Sequence, residues 1–188
     1  RFLKADRFSD RVNWISGYDS NGRPKDMLAL PPEGGDPIEV APGLLGGVNM
    51  YPNAYNPNTG NVYLAASESS MNYGFEDIKV ISNVRHFGAY QEFNYGDEVD
   101  KAVNVKTGKE VWRDTQAGKP GYAGGMLTTA GNLVVYTTQG GRFTVADARS
   151  GERLFELDTG IAAKSGPITF THKGKQMIVQ PLGGTPGF

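Results

Sequence analysis

The stretch KAVNVKTGKEVW, Lys101 to Trp112, reads as a strand, a tight turn and a second strand. Ala102, Val103 and Val105 supply apolar positions around Asn104, Lys106-Thr107-Gly108-Lys109 supplies the turn, and Val111 and Trp112 resume the apolar face. Gly108 is the turn residue able to take positive φ without steric cost. Two strands alone bury too little surface to persist in water, so this hairpin requires neighbours of its own kind. The chain supplies one at FTVADARSGERLF, Phe143 to Phe155, where Asp147, Ser150, Gly151 and Phe155 stand for Asn104, Thr107, Gly108 and Trp112. The two copies lie 43 residues apart.

A second kind of hairpin repeats beside the first. MYPNAYNPNTGNVYLAA, GMLTTAGNLVVYTT and GPITFTHKGKQMIVQP each set a glycine (Gly60, Gly131, Gly174) between a mixed strand and a strongly apolar one, and the last two again lie 43 residues apart. Two independent hairpin families sharing one period imply a four-stranded unit of the length of a propeller blade. Gly60 and Gly131 are 71 residues apart, so the earlier unit holds an insert, placed at Ser67 to Asp100. Its aromatic density reads as a packed flap and not as a new domain.

Composition agrees with an all-β chain. The 188 residues include 26 glycines and 11 prolines, and no window carries apolar residues at helical spacing over three turns. With 19 basic and 20 acidic residues, a net charge of −1 gives no electrostatic footprint for nucleic acid or an anionic membrane. No apolar run approaches the length of a membrane span, and RFLKADRFSD lacks the apolar centre of a signal peptide. The absence of cysteine excludes disulfides and thiolate metal sites within this sequence. The proline-rich LPPEGGDPIEVAPG, Leu30 to Gly43, reads as a surface connection or lid. Arg1 to Ile15 reads as the middle of a blade, and the last hairpin as half of one. An exposed half-blade would leave an unpaired edge. The expectation is therefore an interior-to-C-terminal portion, about the last three blades, of a single propeller domain whose upstream blades complete it. By itself the chain is not expected to be active.

GGVNMYPNAYNPNTGNVY (Gly46 to Tyr63), AVNVKTGKEVW, GGMLTTAGNLVVYTTQGGRFTVADARSGERLF and THKGKQMIVQPLGG together resemble the pyrroloquinoline-quinone (PQQ)-dependent alcohol dehydrogenases, the quinoprotein family that includes methanol dehydrogenase. The hairpin at Lys101 to Trp112 resembles that family's tryptophan-docking motif, in which the indole stacks on the next blade. Trp112 fits the role, and Phe155 is a weakened copy. The resemblance implies an eight-bladed propeller around a pocket holding PQQ and a calcium or lanthanide ion. It implies oxidation of a primary alcohol to an aldehyde in the periplasm, with a c-type cytochrome as electron acceptor, and is compatible with a homodimer.

Carried over by position, the resemblance makes Asn49 a hydrogen-bonding partner of the quinone rim. It also places Ala123 and Thr185 where the family carries pocket tryptophans, and Met50 where it often carries another. Smaller residues at 123 and 185 imply a wider pocket. The family's catalytic Asp and metal ligands belong upstream of Arg1, so no catalytic or metal-ligating residue is assigned within the chain.

Other readings stand beside these. Asn49 also suits a turn cap after Gly46-Gly47. His172 reads as a solvent-facing turn residue. The acidic run Asp97, Glu98 and Asp100 reads as a solvated turn, because a calcium site needs several more oxygens at ordered spacing. A non-catalytic or degenerate propeller of the same repeat type, binding protein partners on its rim loops, is the alternative function.

Overall fold

The computed structural model describes residues 1–77, 82, 89–117 and 124–183. Every strand pairing among them is antiparallel. They form two compact units, Arg1–Gly47 with Glu68–Tyr95, and Val48–Ser67 with the chain from Gly96 onward.

In the first unit, β1 (Gly17–Tyr18) pairs with β2 (Pro24–Lys25). The proline-rich connection contains β3 (Ile38–Val40). As its prolines require, β3 is an edge strand among the described residues, pairing with the later β6 (Ser70–Phe75) in a sheet of order β3-β6-β7, once β7 (Ala89–Asn94) is included. Met71 is fully buried on this sheet, and a Cβ on Gly43 would lie 2.9 Å from the Met71 Cβ. Glu68 accepts hydrogen bonds from Ser9 Oγ at 2.6 Å and Asp10 N at 2.9 Å, which ties the first residues to the sheet without a strand. Arg1 to Ile15 contains no strand, contrary to its expected place inside a blade. Its apolar groups serve another purpose: Phe2, Phe8 and Trp14, with Tyr18 of β1, help line a cavity of about 620 Å³.

The second unit holds two four-stranded sheets and a hairpin. One sheet runs β4 (Ala54–Asn56), β5 (Asn61–Ser67), β8 (Glu98–Asn104), β9 (Glu110–Gln116) in that order. The other runs β10 (Leu127–Thr128), β11 (Leu133–Thr137), β12 (Arg142–Asp147), β13 (Arg153–Asp158). The hairpin is β14 (Ile168–His172) with β15 (Lys175–Val179), and His172 is exposed at its tip.

Turn chemistry explains the repeat. Asn104 Oδ1 accepts from the backbone N–H of Lys106 and Thr107 and from Thr107 Oγ1, and Asp147 Oδ1 accepts from the equivalent atoms of Arg149 and Ser150. Gly108 and Gly151 follow with φ of 71° and 76°. In the second hairpin family Gly131 lies between β10 and β11, and Asn132, at φ 59°, takes the left-handed position of that turn. Asparagine tolerates that conformation through local side-chain hydrogen bonding.

The two four-stranded sheets share a core of Tyr63, Ala102, Trp112, Met126, Val134, Tyr136, Ala146 and Ala148. Trp112 is 8% exposed and donates from Nε1 to Ala148 O at 3.1 Å. Tyr63 OH donates to the same carbonyl at 2.9 Å. The indole crosses from one sheet onto the β12–β13 turn of the next, the role its motif implied. Phe155 instead is 53% exposed, meeting Phe143 edge-on at 6.4 Å between ring centroids.

The acidic run requires a correction. Glu98 and Asp100 are fully buried within β8 and do not form a solvated turn. A strand between β5 and β9 with both faces covered has no solvated side, whatever its composition.

Candidate functional site

Val48 packs against Leu64, Ala66 and Val103, which fixes the backbone leading into Asn49 and Met50. Asn49 is exposed, and its Oδ1 accepts from Met50 N at 2.7 Å. Three residues on, Pro52 is locked in place. Its carbonyl accepts from Met126 N at 2.8 Å. A Cβ on Gly125 would lie 2.3 Å from Pro52 Cγ, and one on Gly166 2.6 Å from the same atom. Both distances are below what real Cβ atoms reach, so only glycine at 125 and 166 admits the proline ring.

Gly124 completes the junction. Its N–H donates to Thr137 O at 3.1 Å, and a Cβ there would sit 2.8 Å from Ser165 O. Gln180 Nε2 donates to Ser165 O at 2.9 Å, and Gly183 N to Ala162 O at 2.9 Å. The segments that open the β4–β5 hairpin, the β10–β13 sheet and the β14–β15 hairpin, with the chain that follows β15, therefore converge at one end of this unit.

Asn49 precedes the Pro52 slot by three residues. Ala123 and Thr185 lie outside the described residues. Pro52, Gly125 and Gly166 were not singled out from the sequence. The available signal was a glycine opening each hairpin unit. Of the paired glycines before Asn49, Gly46 has φ 75°, and a Cβ on Gly47 would lie 3.0 Å from the Phe8 ring, so the pair serves turn geometry and close packing. Among the described residues, no three His, Asp or Glu side chains are grouped so as to hold a metal ion.

A family model described as the glucose/ethanol/alcohol dehydrogenase β-propeller domain of PQQ type matches residues 91–178. The chain is 32% identical to the quinoprotein alcohol dehydrogenase PedH of Pseudomonas putida over 95% of its own length and 31% of that protein. It is 35% identical to a quinoprotein ethanol dehydrogenase of Pseudomonas aeruginosa over 94% of its own length and 30% of the relative. The crystal structure of the quinohemoprotein alcohol dehydrogenase from Comamonas testosteroni superposes with a TM-score of 0.82 at 28% identity, covering 95% of this chain and 28% of that one. A europium-containing methanol dehydrogenase superposes with a TM-score of 0.80 at 26% identity, covering 93% and 32%. The chain thus spans about a third of the length of these relatives. Its repeated four-stranded antiparallel sheets are part of a β-propeller, and in sequence and in fold the chain is similar to the PQQ-dependent quinoprotein alcohol dehydrogenases.

Proposed function

We propose that this chain forms part of the propeller and pocket wall of a periplasmic quinoprotein dehydrogenase that oxidises a primary alcohol, or another hydroxylated compound, to an aldehyde. The observation that carries the reading is the resemblance to quinoprotein alcohol dehydrogenases along nearly the whole chain, in sequence and in fold. The remaining blades, the catalytic carboxylate base and the ligands of a calcium or lanthanide ion come from the rest of the protein. A c-type cytochrome takes the electrons.

The residues present suit the quinone. Asn49 presents an exposed carboxamide, which offers both donor and acceptor, on a loop held at one end by Val48 and at the other by the Pro52 slot. A side chain on a fixed loop loses less freedom on binding than one on a free loop. When bound, PQQ would supply the two-electron acceptor for the alcohol's hydride, and the Asn49 amide would hydrogen-bond a polar group of the quinone. Ala123 and Thr185 belong to the same pocket in this reading, where their small side chains favour bulkier alcohols over methanol.

The test uses the full-length protein reconstituted with PQQ and metal. Asn49→Ala is expected to lower quinone retention and dye-linked alcohol oxidation, while the unfolding midpoint stays within the small range of a surface substitution. Unchanged quinone retention and activity would remove Asn49 from the site. Failure of the wild-type protein to retain PQQ at all would favour the non-catalytic scaffold.

A further inference from the structure

The face that β5, β8 and β9 turn toward the next sheet is built in rows. Tyr63, Ala102 and Trp112 lie opposite one another in register, then Ala65, Asp100 and Asp114, then Ser67, Glu98 and Gln116. The first row is the apolar core described above. The next two set three carboxyl groups into the same inter-sheet space. Across it stand Tyr136 on β11, Thr144 and Arg142 on β12, and Arg153 and Glu156 on β13; Thr144 pairs with Tyr136 and so shares its face. Lys101 lies on the opposite face of β8, 3.6 Å from Glu110 Oε2.

The cations here are taken by one acid. Asp114 accepts from Arg142 Nη2 at 2.7 Å, Arg153 Nη2 at 2.5 Å, Tyr136 OH at 2.8 Å and Gln116 Nε2 at 3.1 Å, which fills its acceptor sites. Arg142 and Arg153 also each reach Glu156 at 3.3 Å. Glu98 receives only the N–H of Gln139, at 3.2 and 3.3 Å to its two oxygens. Asp100 receives nothing: both carboxyl oxygens are buried without a hydrogen-bond partner, and the hydroxyl of Thr144, itself fully buried, is unpartnered as well.

Two guanidinium groups cannot neutralise Glu98, Asp100, Asp114 and Glu156 together, and an uncompensated buried carboxylate is among the most expensive groups a fold can hold. A proton relieves both the charge excess and the burial. We propose that the inter-sheet pocket around Asp100 is a proton-binding site: Asp100 is carried as the neutral carboxylic acid, and loss of its proton loosens the packing of the two sheets. Burial, reinforced by the charges of Glu98 and Asp114, pushes Asp100 well above the ordinary carboxylate range. Burial likewise pushes Glu98 up to about 7, against the Gln139 N–H bond and the positive charge of Arg142. A carboxyl whose pKa is raised on folding binds more protons in the native than in the unfolded state, so the stability it confers declines as pH rises. The decline starts near the unfolded value of about 4 and continues through the raised values of Glu98, at about 7, and of Asp100.

In the full-length protein, thermal unfolding followed from pH 5 to 9 is expected to show a falling midpoint for the wild type. Asp100→Asn, isosteric and uncharged, is expected to flatten that fall and to unfold at a higher temperature than the wild type at pH 8 to 9. An identical pH profile in the variant, or a wild-type midpoint that rises from pH 5 to 8, would overturn the proposal. Should Asp100→Asn fail to fold, the infrared spectrum of the wild-type protein at pH 7 decides. A protonated-carboxyl C=O band that disappears at alkaline pH supports the site, and absence of such a band refutes it.

Discussion

Replacing Trp112 by Ala removes the side chain that crosses between the two four-stranded sheets. The ring is 8% exposed, so nearly all of its surface leaves water on folding. A large aromatic buries roughly 150–250 Å², which at about 25 cal/mol per Å² corresponds to about 4–6 kcal/mol as an upper bound. Measured Trp→Ala losses of about 3–5 kcal/mol agree with that bound, and we expect a loss in this range. The hydrogen bond from Nε1 adds little, because Tyr63 OH still donates to Ala148 O after the indole is gone. The partner site gives an independent check. A Cβ on Gly151 would lie 2.7 Å from Trp112 Cδ2, and Gly151 has φ 76°. Gly151→Ala is therefore expected to cost about 1–2 kcal/mol for the left-handed backbone and roughly 1–3 kcal/mol for the overlap with the indole. In a Trp112→Ala background the indole overlap is gone and only the 3.1 Å approach to the Cβ of residue 112 is left beside the backbone cost, so the double variant should be less destabilised than the sum of the singles by about 1–3 kcal/mol. Urea unfolding of the full-length protein, compared at unchanged denaturant slope, measures all four corners of the cycle. A Trp112→Ala loss below about 1 kcal/mol, or strict additivity with Gly151→Ala, would refute the docking role.

Two further outcomes are expected in the same protein. Gly166→Ala places a methyl 2.6 Å from Pro52 Cγ and should lower stability by about 1–3 kcal/mol, with recovery on adding Pro52→Ala; no recovery would show that the slot is not where the strain lies. Asp114→Ala strips the shared carboxylate from Arg142 and Arg153, and because both arginines are partly exposed the loss should fall at or below the lower end of the roughly 3–5 kcal/mol of a broken buried pair. Burial alone would raise Asp114, but bonds from Arg153 and Tyr136 and the arginine charges hold it below the usual range, so its contribution is present above about pH 4 and is lost as pH falls further. An acid limb of the stability curve unchanged in Asp114→Ala would contradict this.

What could be read in the sequence was what local chemistry decides. The turns after Asn104 and Asp147 are closed by side-chain and backbone groups within four residues, so the same letters recur wherever the same turn recurs. Trp112 was legible for the same reason, at a fixed distance after the turn on β9. The junction around Asn49 was not, since the Pro52 slot is assembled from Gly125 and Gly166, which belong to separate hairpin units and meet only once the sheets are stacked. A glycine that spares a clash with a distant ring looks the same in the sequence as a glycine that makes a turn.

The acidic run was misread for a physical reason that also explains its consequence. Alternating charge along a strand ordinarily marks a solvated face, but β8 lies between β5 and β9 and is covered on both sides. Its solvation is decided by β11 and β12, elements of another repeat. One inter-sheet face therefore has an apolar end, around Tyr63, Ala102 and Trp112, and an ionisable end, around Glu98, Asp100 and Asp114. Burial of hydrocarbon at the first end does not depend on protons. Holding carboxyl groups at the second does, through their pKa values. The apolar row keeps the two sheets together at any pH at which the strands persist, and the acidic row, a few residues along the same strands, sets how tightly they close.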